Sequence, residues 1–128
     1  MKFELTTPFP NGLMYLVLED DPEVPDIDGI ANLWRTKSMV ALAVLHDAEG
    51  EVHFTVSDSS PKKDMTLLFQ NVLHSSRLKL EVWNVYIDSL ATFQMEAEDF
   101  SVRIWGDDPR QSSEVYVQFL SGNPTSVV

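Results

Sequence analysis

Three stretches of the chain alternate apolar and largely polar residues with a period of two. They are residues 51–57 (EVHFTVS), 99–105 (DFSVRIW) and 114–120 (EVYVQFL). Successive side chains of a β-strand point to opposite faces, so this pattern predicts strands with one buried face. Turn-forming residues recur about every 8 to 12 residues, which is typical of an all-β sandwich or barrel.

Two further stretches are apolar without interruption, at residues 13–18 (LMYLVL) and 39–45 (MVALAVL). Such runs predict strands that are buried on both faces. A helix is the alternative for residues 39–45, because Met, Ala and Leu favour helices. We expect residues 39–45 to form a hairpin with residues 51–57, since Gly50 permits the positive φ of a tight turn.

Counted together, these patterns predict an all-β fold, an antiparallel β-sandwich of eight or nine short strands with at most one short helix. The helix would lie at residues 26–35 (DIDGIANLWR), with Asp26 or Asp28 as its N-cap. We expect residues 121–128 to be a loose tail. At this length the chain is expected to be one domain, residues 1–128.

The charge balance restricts the partners, because 20 acidic residues face 9 basic ones and the net charge is −11. A field of this sign repels nucleic acid and anionic membranes and attracts cations and basic proteins. Solubility alone is the simpler explanation of the same charge. The chain has no cysteine, no secretion signal and no run long enough to span a bilayer, so we expect a cytoplasmic protein.

The acidic charge is densest at residues 19–28 (EDDPEVPDID), where two prolines favour an extended backbone. A solvated loop is the default interpretation, and contact with a basic protein is the alternative of interest. A calcium loop is a weaker alternative, because no glutamate follows Gly29 in the register that an EF-hand requires. The candidate partner-binding residues are Glu19, Asp20, Asp21, Glu23, Asp26 and Asp28, with Asp107 and Asp108 of a second acidic turn.

Little in the sequence predicts catalysis or a cofactor. A cysteine nucleophile, a GxSxG motif and a glycine-rich phosphate loop are all missing. His46 and His53 would approach each other in the predicted hairpin, and with Asp47 they form a conceivable metal corner; exposed polar residues are the simpler interpretation. We expect the three tryptophans to fill the core and interfaces. The sequence therefore predicts no enzyme, no bound metal and no cofactor.

A family resemblance lies in the order of the later strands. The stretches SSRLKLEVW (75–83), MEAEDFSVRIWGDD (95–108) and SEVYVQFL (113–120) follow Trp34 and the segment SMVALAVLHDAEGEVHF (38–54). Over residues 34–121 this order resembles the competence protein J group of small bacterial β-proteins. The resemblance implies a β-sandwich and an inhibitor that binds a nuclease without chemistry of its own. It assigns no individual binding residue.

The leading functional hypothesis is an inhibitor or immunity-type protein that binds a basic partner such as a nuclease. One alternative is a homo-oligomeric structural domain, in which the doubly apolar strands provide a self-association surface. The other is a ligand- or metal-binding β-domain that uses the histidines or tryptophans.

Overall fold

The computed structural model describes residues 1–127, which form eleven β-strands and one turn of 3-10 helix at Pro10–Gly12. The strands are β1 (Lys2–Thr7), β2 (Leu13–Val17), β3 (Leu33–Arg35), β4 (Met39–Ala43), β5 (Val52–Ser57), β6 (Thr66–His74), β7 (Lys79–Trp83), β8 (Ser89–Met95), β9 (Asp99–Gly106), β10 (Glu114–Ser121) and β11 (Pro124–Val127). Within residues 1–127 no helix is long and apolar enough to cross a membrane.

The strands form two sheets that pack face to face. The five-stranded sheet has the order β1-β5-β10-β9-β6, and the six-stranded sheet has the order β11-β8-β7-β2-β4-β3. Neighbouring strands are antiparallel except β5 and β10, which are parallel. The predicted all-β sandwich is confirmed. The strand count rises from eight or nine to eleven because β3 and β11 form where a helix and a tail were predicted.

One continuous core fills the space between the sheets. The period-two strands bury the predicted apolar sides completely, and the six-stranded sheet meets them with alternate residues of β2, β4, β7 and β8. The core residues of the five-stranded sheet include Val52, Phe54, Val56, Phe100, Val102, Ile104, Val115, Val117 and Phe119. The alternation in the sequence therefore identified the inward face of β5, β9 and β10 correctly.

The second faces of β2 and β4 are buried as well. Tyr15, Val17, Met39 and Ala41 form a separate apolar cluster. They alternate along their strands with core residues, so the cluster lies on the outer face of the six-stranded sheet. The prediction that both strands are buried on both sides is confirmed.

The predicted hairpin between residues 39–45 and 51–57 is wrong. Strand β4 lies between β2 and β3, whereas β5 lies between β1 and β10 in the other sheet. Residues 44–51 cross from one sheet to the other, and Val44 forms a single parallel bridge with Ser112 on the way. Strand β4 is central in the six-stranded sheet, where the inner core covers one of its faces and the outer cluster the other.

Two other local predictions are also wrong. Residues 26–35 form no helix, because residues 33–35 are extended and pair with residues 40–42 of β4. Residues 124–127 are not a loose tail, because they pair with β8 as strand β11. Gly122 makes this last change of sheet possible: its φ is +64°, and a Cβ there would lie 2.7 Å from the carbonyl oxygen of Asp99.

Candidate protein-binding surface

The acidic segment, residues 19–28, connects β2 to β3 and follows the six-stranded sheet from one end to the other. At its start the amide of Leu18 donates to the carbonyl of Ser38. Beyond its end the amide of Ala43 donates to the carbonyl of Asn32. Since residues 38 and 43 flank opposite ends of β4, the carboxylates are spread along the strand direction rather than gathered at one point.

The first two carboxylates of the segment stabilise a neighbouring turn. Glu19 accepts hydrogen bonds from the amide and the hydroxyl of Ser76, at 2.8 Å and 2.7 Å. The backbone bond from Ser76, followed by the side-chain bond, lowers the pKa of Glu19. Asp20 forms an ion pair with Arg77, with 2.9 Å between Oδ1 and the guanidinium. Both residues therefore link the start of the segment to the connection between β6 and β7.

The middle of the segment has a fixed backbone and free carboxylates. The amide of Glu23 donates to the hydroxyl of Ser38 and its carbonyl accepts from the hydroxyl of Thr36, both at 2.7 Å. Pro25 is buried. Within residues 1–127 the side chains of Asp21, Glu23 and Asp26 are exposed and have no ion pair or hydrogen bond. These three acids are available to a partner.

Asp28 closes a turn where the sequence predicted the first turn of a helix. Its Oδ1 atom accepts from the amides of Ile30 and Ala31 and from the indole Nε1 of Trp34, at 2.9, 3.2 and 3.0 Å. The hydrogen bond from Ile30, followed by those from Trp34 and Ala31, lowers the pKa of Asp28. Asp28 was one of the two predicted N-caps, but it caps a turn and not a helix, because Gly29 has a φ of +75° and the chain turns into β3.

The second acidic turn, residues 106–113, meets the end of the acidic segment. Asp107 accepts from the amide and hydroxyl of Ser113 and from the amide of Glu114, at 2.9, 2.6 and 3.0 Å. Partial burial opposes ionisation, but these hydrogen bonds outweigh it and lower the pKa of Asp107. Asp108 accepts from the amide of Arg110 at 2.8 Å, and the side chain of Asn32 donates to the carbonyl of Pro109.

The predicted binding residues therefore fall into two groups. Asp28, Asp107 and Asp108 lie at one end of the sandwich, whereas Glu19 and Asp20 lie at the other, with the free acids of the segment between them. Five of the eight carboxylates also stabilise local structure. Their role in binding a partner stays a prediction.

An apolar strip crosses the outer face of the six-stranded sheet beside the acidic segment. Trp83 pairs with Tyr15, Tyr15 with Ala41, and Ala41 with Trp34, so these four residues form one row across β7, β2, β4 and β3. Both tryptophans are half-buried. Burial raises the pKa of Tyr15. The strip ends at Trp34, whose indole binds Asp28, and so joins the apolar and acidic parts of the surface.

The turn between β7 and β8, residues 84–88, is a feature that the sequence analysis missed. It projects Tyr86 and Ile87, which are 69% and 68% exposed. The apolar residues Val85, Tyr86 and Ile87 favour a strand over a turn in the sequence. Val85 in the same turn packs against the outer cluster and connects the turn to the strip.

The tryptophans are absent from the core between the sheets. Trp34 and Trp83 pack on the outer cluster of the six-stranded sheet. Trp105 lies on the opposite outer face and donates to Gln118 at 3.3 Å. The prediction that they fill the core is wrong, because each lies on the outward side of its strand, and the prediction that they fill interfaces stays a prediction.

A cleft of about 490 Å³ opens on the five-stranded sheet beneath residues 58–65. Inside it His53 lies 3.2 Å from Glu4, and Lys63 lies 2.6 Å from Glu114. The hydrogen bond to Glu114, with the attraction of its charge, raises the pKa of Lys63. His53 and Lys63 of this cleft thus each lie beside a carboxylate.

The histidine pair proposed from the sequence does not form. His53 lies on β5 of the five-stranded sheet, whereas His46 follows β4 of the other sheet and contacts Asp47 at 2.9 Å. Across residues 1–127, no three His, Asp or Glu side chains are grouped so as to hold a metal ion.

Comparison with known proteins identifies a likeness of fold. No family model matches the sequence, and no curated protein matches it. Among solved structures, the chain is similar to ComJ from Bacillus subtilis, described as an inhibitor of the DNA-degrading activity of NucA. The TM-score is 0.66 at 7% sequence identity, over 93% of this chain and 96% of that one. The resemblance to the competence protein J group is confirmed as a structural likeness.

Proposed function

We propose that this chain is a non-enzymatic inhibitor or immunity-type protein that binds a basic protein partner, a nuclease. The observation that carries the proposal is the fold shared over 93% of the chain with an inhibitor of a DNA-degrading protein. The acidic segment supplies the complementary chemistry, because nucleases bind the anionic backbone of DNA with cationic surfaces.

The charge distribution explains how such a partner is attracted and held. A net charge of −11 steers a cationic protein toward the chain and raises the rate of association. The free carboxylates of Asp21, Glu23 and Asp26 are held on a fixed backbone, so a partner's Lys and Arg side chains meet them without ordering a loop. Asp28 and Asp108 extend the acidic surface to the end of the sandwich. Glu19, Asp20 and Asp107 contribute charge from positions that also support the fold.

The cleft on the other sheet gives little support to an enzyme. Its histidine is flanked by two carboxylates, Glu4 at 3.2 Å and Glu114 at 3.8 Å, and Glu114 also binds Lys63. Such a cluster is suited to fixing the loop at residues 58–65 against the sheet.

The experiment has two stages. The tagged protein captures partners from a lysate of its own cells, and each captured protein is then purified and assayed for DNA degradation with increasing amounts of the chain. We expect a captured nuclease whose rate falls as the chain is added. The proposal is wrong if no captured protein degrades nucleic acid, or if excess chain leaves the rate unchanged.

A charge variant tests the acidic segment. In Asp21→Asn/Glu23→Gln/Asp26→Asn we expect the association rate with that nuclease to fall about tenfold at low ionic strength, with little change in dissociation. The matched control, Asp58→Asn/Asp64→Asn/Glu96→Gln, removes the same charge elsewhere. Equal rates for the two variants show that only net charge matters and remove the segment from the interface.

A further inference from the structure

The turn at residues 84–88 contains a backbone conformation that its sequence disfavours. Ile87 has a φ of +65°, in the left-handed region that β-branched residues rarely adopt. Its side chain is 68% exposed, so burial does not repay the strain. Asn or Gly would adopt the same conformation at lower cost. A strained, exposed apolar residue is more readily explained by function than by stability.

The turn is also rigid. Asn84 is buried, and its Oδ1 atom accepts from the amides of Tyr86 and Asp88 at 2.9 and 3.2 Å. Its amide group donates to the carboxylate of Asp88 at 3.2 Å, and the amide of Ile87 donates back to the carbonyl of Asn84 at 3.1 Å. The turn therefore presents Tyr86 and Ile87 in one preformed arrangement, which limits the entropy lost on binding.

The position of the turn links it to the acidic segment. Trp83 begins the apolar strip that crosses three strand intervals to Trp34 and the carboxylate of Asp28. At about 4.8 Å per interval the strip is roughly 14 Å long. A protein interface of ordinary size covers about 800 Å² on each partner, which is enough to include the turn, the strip and the nearest acids together.

Tyr15 and Ala41 of the strip are already buried within the chain, so its accessible parts are the two half-buried tryptophans. We propose that the turn and these two indoles form the docking surface for the basic partner, with Tyr86 and Ile87 entering an apolar pocket that is bordered by Lys and Arg. The inference rests on the proposed function and names the contact residues of that same interaction. Aromatic residues that enter a pocket, surrounded by polar contacts, are where binding energy concentrates in protein interfaces. The acids nearest to these contacts are Asp88 in the turn and Asp28, which accepts from the indole of Trp34.

Charge selects this occupant over others. A second copy of the chain would bring two bodies of charge −11 together, with Asp26, Asp28 and Asp88 from each side unpaired. An anionic membrane is repelled for the same reason. A cationic protein surface pairs with these carboxylates while its pocket covers the apolar side chains.

Two substitutions in the full chain test the role of Tyr86 and Ile87, the anchor residues. In Ile87→Asn we expect the Tm to rise by about 3 °C, because the strain is relieved, and the affinity for the partner to fall at least tenfold. In Tyr86→Ala we expect a loss of affinity of about thirtyfold, mainly through faster dissociation. Val72→Ala removes an exposed apolar side chain, 53% exposed, from the other sheet and is the control.

Affinity is measured with two probes. One is the nuclease that the chain inhibits, and the other is a synthetic helical peptide of Lys and Leu with one Trp, whose fluorescence reports binding. If Ile87→Asn and Tyr86→Ala both inhibit the nuclease with unchanged affinity, the inference is wrong and the proposed function still stands. If no nuclease is inhibited, the peptide still decides the matter: weaker binding in the anchor variants alone supports the docking surface, and equal binding in all variants overturns it.

The oligomeric state of the chain alone completes the test. We expect a monomer in sedimentation at high concentration. A dimer that dissociates in Ile87→Asn would show that a second copy occupies the surface, and the inference would be wrong.

Discussion

The two outer faces of the sandwich differ in polarity. On the five-stranded sheet the outward residues of β1, β5, β9 and β10 are mostly polar, and residues 58–65 are fixed to them by hydrogen bonds, such as that from Tyr116 to the carbonyl of Ser59 at 2.7 Å. On the six-stranded sheet the outward residues of β2 and β4 are apolar and buried. The polar face binds the loop at residues 58–65 through hydrogen bonds and ion pairs. The apolar face is bordered by half-exposed tryptophans and by the exposed turn at residues 84–88. That difference directs attention to the six-stranded sheet as the face that meets other molecules.

The largest expected effect comes from placing a charge on each face. In Val17→Asp a carboxylate would be buried on the apolar face, at a position paired with Glu81. We expect the free energy of unfolding to fall by about 4 kcal/mol or more. Thr6→Asp places the same group at an exposed outward position of β1 and should change it by less than about 0.5 kcal/mol. Denaturant unfolding measures both, and similar losses would show that the two faces do not differ as described.

The sequence predicted strand faces well and strand partners poorly, and the reason is physical. The inward face of β9 follows from alternation, because the period of a strand depends only on local geometry. The partner of β4 does not, because pairing is decided by residues far away in the chain. Turn residues at 47–50 favoured a hairpin with β5. In the structure β4 instead pairs with β2 and β3 in the six-stranded sheet, where both of its faces are buried. A local signal was outweighed by burial.

The candidate site shows the same limit. The acidic segment was visible in the sequence from its composition, and Asp28 was visible as a possible capping residue. The turn at residues 84–88 was not, because a positive φ at an isoleucine contradicts the propensity from which any sequence prediction starts. The strip that joins the two also depends on the order β7-β2-β4-β3, which no local pattern encodes.

Two tryptophans allow a smaller and closely matched comparison of the faces. Trp34 donates to the ionised carboxylate of Asp28 at 3.0 Å, whereas Trp105 donates to the neutral amide of Gln118 at 3.3 Å. Hydrogen bonds to charged groups are stronger than those between neutral groups. We expect Trp34→Phe to cost about 1 kcal/mol of unfolding free energy and Trp105→Phe about half as much.

The pKa of Asp28 provides an independent readout of the same substitution. The indole bond helps to lower that pKa, so in Trp34→Phe an NMR titration should move it upward toward the ordinary value of 3.8. An unchanged titration would mean that the backbone amides of Ile30 and Ala31 alone hold the carboxylate, and that the strip and the acidic segment are not coupled.

The smallest effects are two pH dependences of opposite sign, one from carboxylates beside the six-stranded sheet and one from a histidine of the five-stranded sheet. Glu19 and Asp28, beside the six-stranded sheet, have lowered pKa values, so the stability they contribute is present above their ordinary values of 4.5 and 3.8 and is lost as the pH falls through the folded values. His74, on β6 of the five-stranded sheet, lies 2.8 Å from Asp99, whose hydrogen bond raises the pKa of the imidazole.

The contribution of His74 is therefore present below its ordinary value of 6.5 and is lost as the pH rises through the higher folded value. In urea unfolding at a series of pH values, His74→Gln should flatten the small decline in stability from about pH 6.5 upward and change the acid side only slightly, through the lost attraction between His74 and Glu19. Asp28→Asn should flatten the acid side and leave the decline above about pH 6.5 unchanged. Both groups are exposed, so each slope should shrink in high salt. If Asp28→Asn also flattened the decline above about pH 6.5, Asp28 and His74 would be linked electrostatically, and the separation of a self-paired polar face from an acidic, partner-facing one would not hold.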